Sequence, residues 1–198
     1  MNKTKMFRAS ALVIGLSLVG VACGGSDESA DTTPAASGDC KIALGLQFPE
    51  TGDAANLGAP MLKGAQLAID AYNAENKDNC VTLKKFDTQG DPAKAPAVAQ
   101  AAIDDASVLG IMGPGFSGES KAALPLYDAA GLAAVTGSAT NATLQENGWK
   151  VWFRVLANDA VQGPGIAKYI AETLKPASIG IIDDASEYGK GQIGRANV

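Results

Sequence analysis

From Cys40 onward, short apolar runs alternate with longer stretches of helical period. Ile42–Leu46 and Val81–Phe86 read as strands, and so do Val108–Met112, Leu132–Thr136, Val151–Val155 and Ser178–Ile182. After the first strand, Leu62, Ala65, Ile69 and Tyr72 fall on one helical face. Pro60 suits the first turn of that helix, and the polar Asn76-Lys77-Asp78-Asn79 ends it. Ala93–Ala106 is alanine-rich and helical, with Val98, Ala102 and Ala106 on one side, and Glu119–Ala130 and Val161–Leu174 complete the helices. Mostly apolar strands separated by helices predict an α/β fold with a parallel sheet covered by helices on both faces. In such sheets ligands bind beyond the C-terminal strand ends. Three of those ends, after Leu46, Met112 and Thr136, carry small, polar or glycine-rich loops.

The first 39 residues follow a different pattern. Lys3, Lys5 and Arg8 precede a charge-free apolar run from Ala9 to Ala22. A basic start, an apolar middle and small residues at the end form a secretory signal, too short to span a bilayer, which takes about 20 apolar residues. Cys23 at the cleavage point resembles a bacterial lipoprotein signal, in which the thiol is acylated and becomes the new N-terminus. Val21 and Ala22 suit that pattern, while Gly20 stands where a leucine is usual. Residues 23–39 are small, polar and acidic and read as a flexible tether.

An exported chain with one remaining cysteine pair is a candidate for a disulfide. Cys40 precedes the first strand and Cys80 the second. If those strands are parallel neighbours, about 4.8 Å apart, both cysteines sit at one sheet edge at bridging distance. Two small buried thiols are the alternative.

Charge and composition remove several function classes. Removing residues 1–22 takes three of the 16 basic residues and none of the 21 acidic ones, so the net charge of −5 becomes more negative. No basic patch is present, which argues against nucleic acid and against anionic lipid headgroups; any membrane attachment would run through acyl chains on Cys23. The chain has no histidine. A Ser-His-Asp or Cys-His site is therefore excluded within it, and a zinc site is disfavoured. No cofactor is expected.

Gly113-Pro114-Gly115-Phe116-Ser117-Gly118 spells G-x-G-x-x-G, but after the third strand rather than the first, so it does not read as a dinucleotide site. The same stretch nearly spells a P-loop, with Glu119 in place of the lysine, where a carboxylate would repel phosphate. The G-x-S-x-G elbow is also missed. What remains is the shared physics. A helix opening near Gly118 exposes unpaired N–H groups and a positive dipole end, and with Ser117 beside it the loop can hold a carboxylate without a basic side chain. Gly137-Ser138-Ala139-Thr140 offers a second set of hydroxyl and backbone donors. Helix capping is an equal reading of these serines and threonines.

A family resemblance runs in order along the chain. Gly58-Ala59-Pro60-Met61-Leu62-Lys63-Gly64-Ala65, Met112-Gly113-Pro114 with Ser117-Gly118, and Thr136-Gly137-Ser138-Ala139-Thr140-Asn141 carry it, with Phe153-Arg154, Gln162-Gly163-Pro164 and Glu187-Tyr188-Gly189-Lys190-Gly191. Together they resemble the branched-chain amino-acid-binding family, type I periplasmic binding proteins that feed ABC importers. The resemblance implies two α/β lobes that close on an amino acid. Residues 40–158 would be the N-terminal ligand-binding lobe and residues 159–198 a partial second lobe. Ser117, Ser138, Ala139 and Thr140 would hold the α-carboxylate and ammonium, Leu57 would line the side-chain pocket, and Tyr188 would approach from the second lobe. Asp159 matches a position near the crossover. The partners implied are a small amino acid and the ABC permease subunits, at the outer face of the cytoplasmic membrane or in the periplasm.

Leu57 departs from the aromatic residue of some leucine-binding members, and Gly90 and Phe116 stand where some members carry a disulfide. The family runs to about twice this length. The chain is therefore expected to be a truncated form that binds amino acid weakly or not at all. Two other functions stand as alternatives: a binder of another small solute such as an amide, urea or an aromatic acid, and an exported serine hydrolase built on Ser117.

Overall fold

A computed structural model of the chain describes residues 40–196. The expected signal, Cys23 and the expected tether lie outside the described residues. Five strands form one parallel sheet: β1 (Ile42–Phe48), β2 (Val81–Asp87), β3 (Val108–Met112), β4 (Ala134–Thr136) and β5 (Trp152–Arg154), in the spatial order β2-β1-β3-β4-β5. The helices are α1 (Ala55–Glu75), α2 (Ala95–Asp104), α3 (Ser117–Ala130), α4 (Asp159–Tyr169) and α5 (Glu187–Ala196). Strand order reverses at β1: α1 leads outward to β2, and α2 leads back across to β3. Right-handed crossovers in opposite directions put α1 and α2 on opposite faces and open a crevice at the C-terminal ends of β1 and β3.

The period of two in β1 assigns each side chain to a face. Ala43 joins the core under α2 and α3, with Ala95, Ala99, Ala102, Ala123 and Leu124. Leu46 and Phe48 join the smaller core under α1, with Ala65, Met61 and Leu62. Small alanines on α2 and α3 let both helices lie close to the sheet. One polar pair sits inside this core. The Tyr127 hydroxyl donates to Gln47 Oε1 at 2.7 Å, and Gln47 Nε2 donates to the Ala95 carbonyl at 3.4 Å. Burial pushes the Tyr127 phenol up, so it remains a donor.

Cys40 and Cys80 are bridged, with Cα atoms 5.1 Å apart, because Ile42 pairs with Val81 in the parallel register of β1 and β2. The bridge closes a loop across a sequence separation of 40 residues. In the chain-entropy account such a loop stabilises by roughly 4 kcal/mol. Cys40→Ser with Cys80→Ser is expected to lower the urea-unfolding free energy by about that amount. A double variant equal in stability to the oxidised parent would contradict this.

Three expectations need correction. The run Ser178–Ile182 is not a strand: Ile179, Ile181 and Ile182 are 60%, 61% and 98% exposed, and among the described residues no strand pairs with them. A β-prone segment without a neighbour leaves its backbone groups to water and gains nothing from extension. The helix expected over Val161–Leu174 starts earlier, at Asp159 behind an Asn158 cap, and ends as a π-helical turn over Ile170–Leu174. Pro60 falls in the second turn of α1 rather than the first, where it removes one intrahelical bond. The sheet is also covered unevenly. Helix α1 packs on β1 and β2, while Leu109, Val135 and Phe153 on β3, β4 and β5 are exposed.

Candidate functional site

The crevice at the switch point is a cleft of about 680 Å³. Leu57, Phe116, Ser117, Ser138, Thr140 and Tyr188 line it. Of the residues expected there from sequence, Ala139 alone is absent from the wall. Its side chain is buried in the sheet core, its N–H donates to Thr136 Oγ1 at 3.0 Å, and its carbonyl accepts from Arg154 at 3.4 Å. Both of its backbone groups are therefore engaged behind the cleft.

The loop after β4 shows how the donors are sorted. The Ser138 and Ala139 amides both converge on Thr136 Oγ1. The Asn141 amide donates to Ser117 Oγ at 3.2 Å. Three successive carbonyls are held from behind: Arg154 Nη1 donates to those of Ala139 and Asn141, and the Asp159 amide donates to that of Thr140. Thr140 is 5% exposed, and its hydroxyl is buried without a partner among the described residues. A buried hydroxyl in that state costs about 1–3 kcal/mol unless something else fills the role.

Ser117 adjoins this loop as the first residue of α3. Phe116 is the extended cap residue before it, and the Ser117 side chain is 1% exposed. Because its oxygen already accepts the Asn141 amide, its hydroxyl proton is free to point into the cleft. Ser117 and Thr140, both almost wholly buried, therefore line one cleft at the N-terminal end of a 14-residue helix. That arrangement suits an anion, held by dipoles instead of a cation.

Glu119 does not stand where a P-loop lysine would, facing the ligand. Its side chain is fully buried beneath the loop; the Thr88 hydroxyl donates to it, and so does the Phe116 amide at 2.7 Å. Burial raises its carboxyl above the ordinary value, and the nearby Asp87 and Asp91 push the same way, while the two hydrogen bonds oppose.

The far wall comes from the segment that carries α5. Tyr188, at 43% exposure, lines the cleft there with Asp184 and Glu187. Asn141 Nδ2 donates to the Glu187 carbonyl at 2.7 Å, Lys121 pairs with the Glu187 carboxylate at 3.0 Å, and Gln192 donates to Asp159 at 2.9 Å. Burial lowers the Arg154 guanidinium and the Asp159 charge counters that effect. Arg154 also lies over the Trp152 ring at 5.0 Å. Sequence reasoning missed the Thr88–Glu119 tie and the Arg154 bracket. Their signal was present only as a polar residue just after β2, a carboxyl in the first turn of α3 and a charged residue at the end of β5.

Residues 41–197 match the periplasmic binding protein family, and the chain belongs to it. It is 33% identical over 152 residues to a leucine-, isoleucine-, valine-, threonine- and alanine-binding protein of Pseudomonas aeruginosa, covering 76% of this chain and 40% of that one. It is 33% identical over 143 residues to the Leu/Ile/Val-binding protein of Escherichia coli, covering 71% and 39%. Among solved structures it superposes on the branched-chain amino-acid transporter substrate-binding protein LivJ of Streptococcus pneumoniae, solved with isoleucine. That match has a TM-score of 0.72 and 31% identity, over 78% of this chain and 45% of the other. The chain thus spans less than half the length of these relatives. They are binding proteins rather than enzymes.

Proposed function

We propose that the chain is the ligand-gripping part of an extracytoplasmic substrate-binding lipoprotein of an ABC importer, taking a branched-chain amino acid into its cleft without chemical change. The observation that carries this is the Thr140 hydroxyl, buried without a partner among the described residues, on a residue that lines the same cleft as Ser117 at the start of α3. An α-carboxylate satisfies both hydroxyls and the helix amides at once. Residues 40–158 serve as the first lobe, and residues 159–198 begin the second. Leu57 meets the aliphatic side chain and Tyr188 closes from the opposite wall. Cys23 carries the lipid anchor, and the liganded form docks on permease subunits. The kinship with leucine-, isoleucine- and valine-binding proteins supports the choice of ligand.

Ligand-observed NMR, which registers weak binding, tests the reading. L-isoleucine is expected to bind saturably and to be recovered unchanged. L-isoleucinamide, which lacks the carboxylate, is expected to bind at least about tenfold more weakly, since one charge-assisted hydrogen bond is worth about 1.5–3 kcal/mol. Equal binding of the two, or turnover of an ester at Ser117, would overturn it.

A further inference from the structure

Glu119 is a fully buried carboxyl in the first turn of the helix that faces the cleft, and the grip on the ligand described above makes no use of it. A structural cap would be enough if it bonded only its own helix. It does more, because its two oxygens reach two different loops. One oxygen accepts the Phe116 amide on the β3–α3 loop, and the other accepts the Thr88 hydroxyl at the end of β2. Thr88 is itself fully buried, and its oxygen accepts the Gly90 amide at 3.4 Å. Phe116 and Gly90 both line the cleft. They also lie close together: a Cβ added to Gly90, whose φ is +74°, would lie 3.1 Å from the Phe116 ring. The path from Glu119 therefore ends on both residues of one wall.

We propose that Glu119 is a positioning residue that ties the Thr88–Gly90 turn to the Phe116 loop, and that loss of its charge strengthens the cleft's hold on an anionic group. The second part rests on the amino-acid reading given above. A carboxylate in the first turn offsets part of the positive end of α3 that the ligand's carboxylate would otherwise use. The charged groups facing Glu119 are Asp87 and Asp91 from the β2–α2 side, both negative. Lys121, further along α3, is paired outward with Glu187 and offers no compensation. Protonation preserves the tie, since a carboxylic acid donates to the Thr88 oxygen while still accepting from Phe116.

The sign follows from the direction of the shift. With its carboxyl raised in the folded state, Glu119 keeps its proton to higher pH than an ordinary glutamate. Stability therefore falls as pH rises from the ordinary glutamate value through the folded one. Affinity for a carboxylate falls through the same window.

The test uses the 198-residue chain, Glu119→Gln and Glu119→Ala, with amide NMR between pH 4 and 8 and L-isoleucine as probe. In the parent, the Phe116 and Gly90 amide signals are expected to titrate with one shared midpoint above that of an ordinary glutamate. In Glu119→Gln both are expected to stay put and remain protected from exchange, because the side-chain amide accepts from Phe116 and donates to Thr88. In Glu119→Ala the Phe116 amide is expected to lose protection. At pH 8 Glu119→Gln is expected to bind isoleucine about two- to fivefold more tightly than the parent, with a flatter pH profile, the size of a charge at a helix end. Protection of Phe116 unchanged in Glu119→Ala would overturn the tie. The same pH dependence of affinity in Glu119→Gln and parent would overturn the charge effect. Absence of isoleucine binding in all three forms would overturn the charge effect and the amino-acid reading together, and the amide titration would still decide the tie.

Discussion

Gly58→Ala is expected to destabilise the chain by about 3 kcal/mol or more, although alanine is the better helix former. Gly58 lies in the first turn of α1 and is buried. A Cβ there would sit 1.7 Å from the Pro49 carbonyl oxygen and 2.8 Å from the Phe48 ring. The obstruction is backbone, so it cannot rotate away. Either α1 lifts or the turn after β1 shifts. Helix propensity favours alanine by only about 1 kcal/mol, well below the cost of such a clash. Gly64, two turns along, supplies the control. It is exposed in the same helix, and a methyl group added there would meet nothing within 4 Å. Gly64→Ala is expected to raise stability by up to about 1 kcal/mol. Thermal unfolding of the two variants is expected to move in opposite directions, down by about 6–12 °C for Gly58→Ala on the usual scaling. Equal melting temperatures would contradict the close approach. The consequence reaches function, because Leu57 lies beside Gly58 and forms part of the cleft wall.

The second large effect concerns the ligand. Thr140→Val keeps the shape of the side chain and removes a buried hydroxyl that has no partner among the described residues. Since nothing described in the chain depends on that hydroxyl, stability is expected to hold or rise slightly, by relief of an unsatisfied group. Affinity for isoleucine is expected to fall about 10- to 150-fold, the value of one charge-assisted hydrogen bond. Ser117→Ala is expected to lose a similar factor and some stability as well, because its oxygen also holds the Asn141 amide. This split separates a ligand group from a structural one. A Thr140→Val variant that lost stability and kept affinity would contradict the assignment.

Local pattern sufficed for much of the fold. Val108–Met112 stands between Asp105 and Gly113 as a bounded apolar run, and it is strand β3 with those limits. The cysteines before β1 and β2 were legible because neighbouring parallel strands place like positions side by side. Ser178–Ile182 shows the limit of such reasoning: three isoleucines give strand propensity, but a strand also needs a neighbour, and none pairs with it among the described residues. The site divides in the same way. Ser117 could be read from a glycine-rich loop between a strand and a helix, whereas the choice of Thr140 over Ala139 depends on which carbonyls Arg154 and Asp159 hold from behind. Glu119 misled because sequence position cannot show whether a first-turn carboxyl faces the ligand or turns under the loop toward Thr88.

A crystal structure of the chain grown with L-isoleucine is the most direct test of the central claim. The account predicts an intact amino acid in the cleft, its carboxylate within hydrogen-bonding distance of Ser117 Oγ and Thr140 Oγ1 and its side chain toward Leu57. Isoleucine bound elsewhere, or a cleft occupant that leaves the Thr140 hydroxyl without a partner, would contradict it.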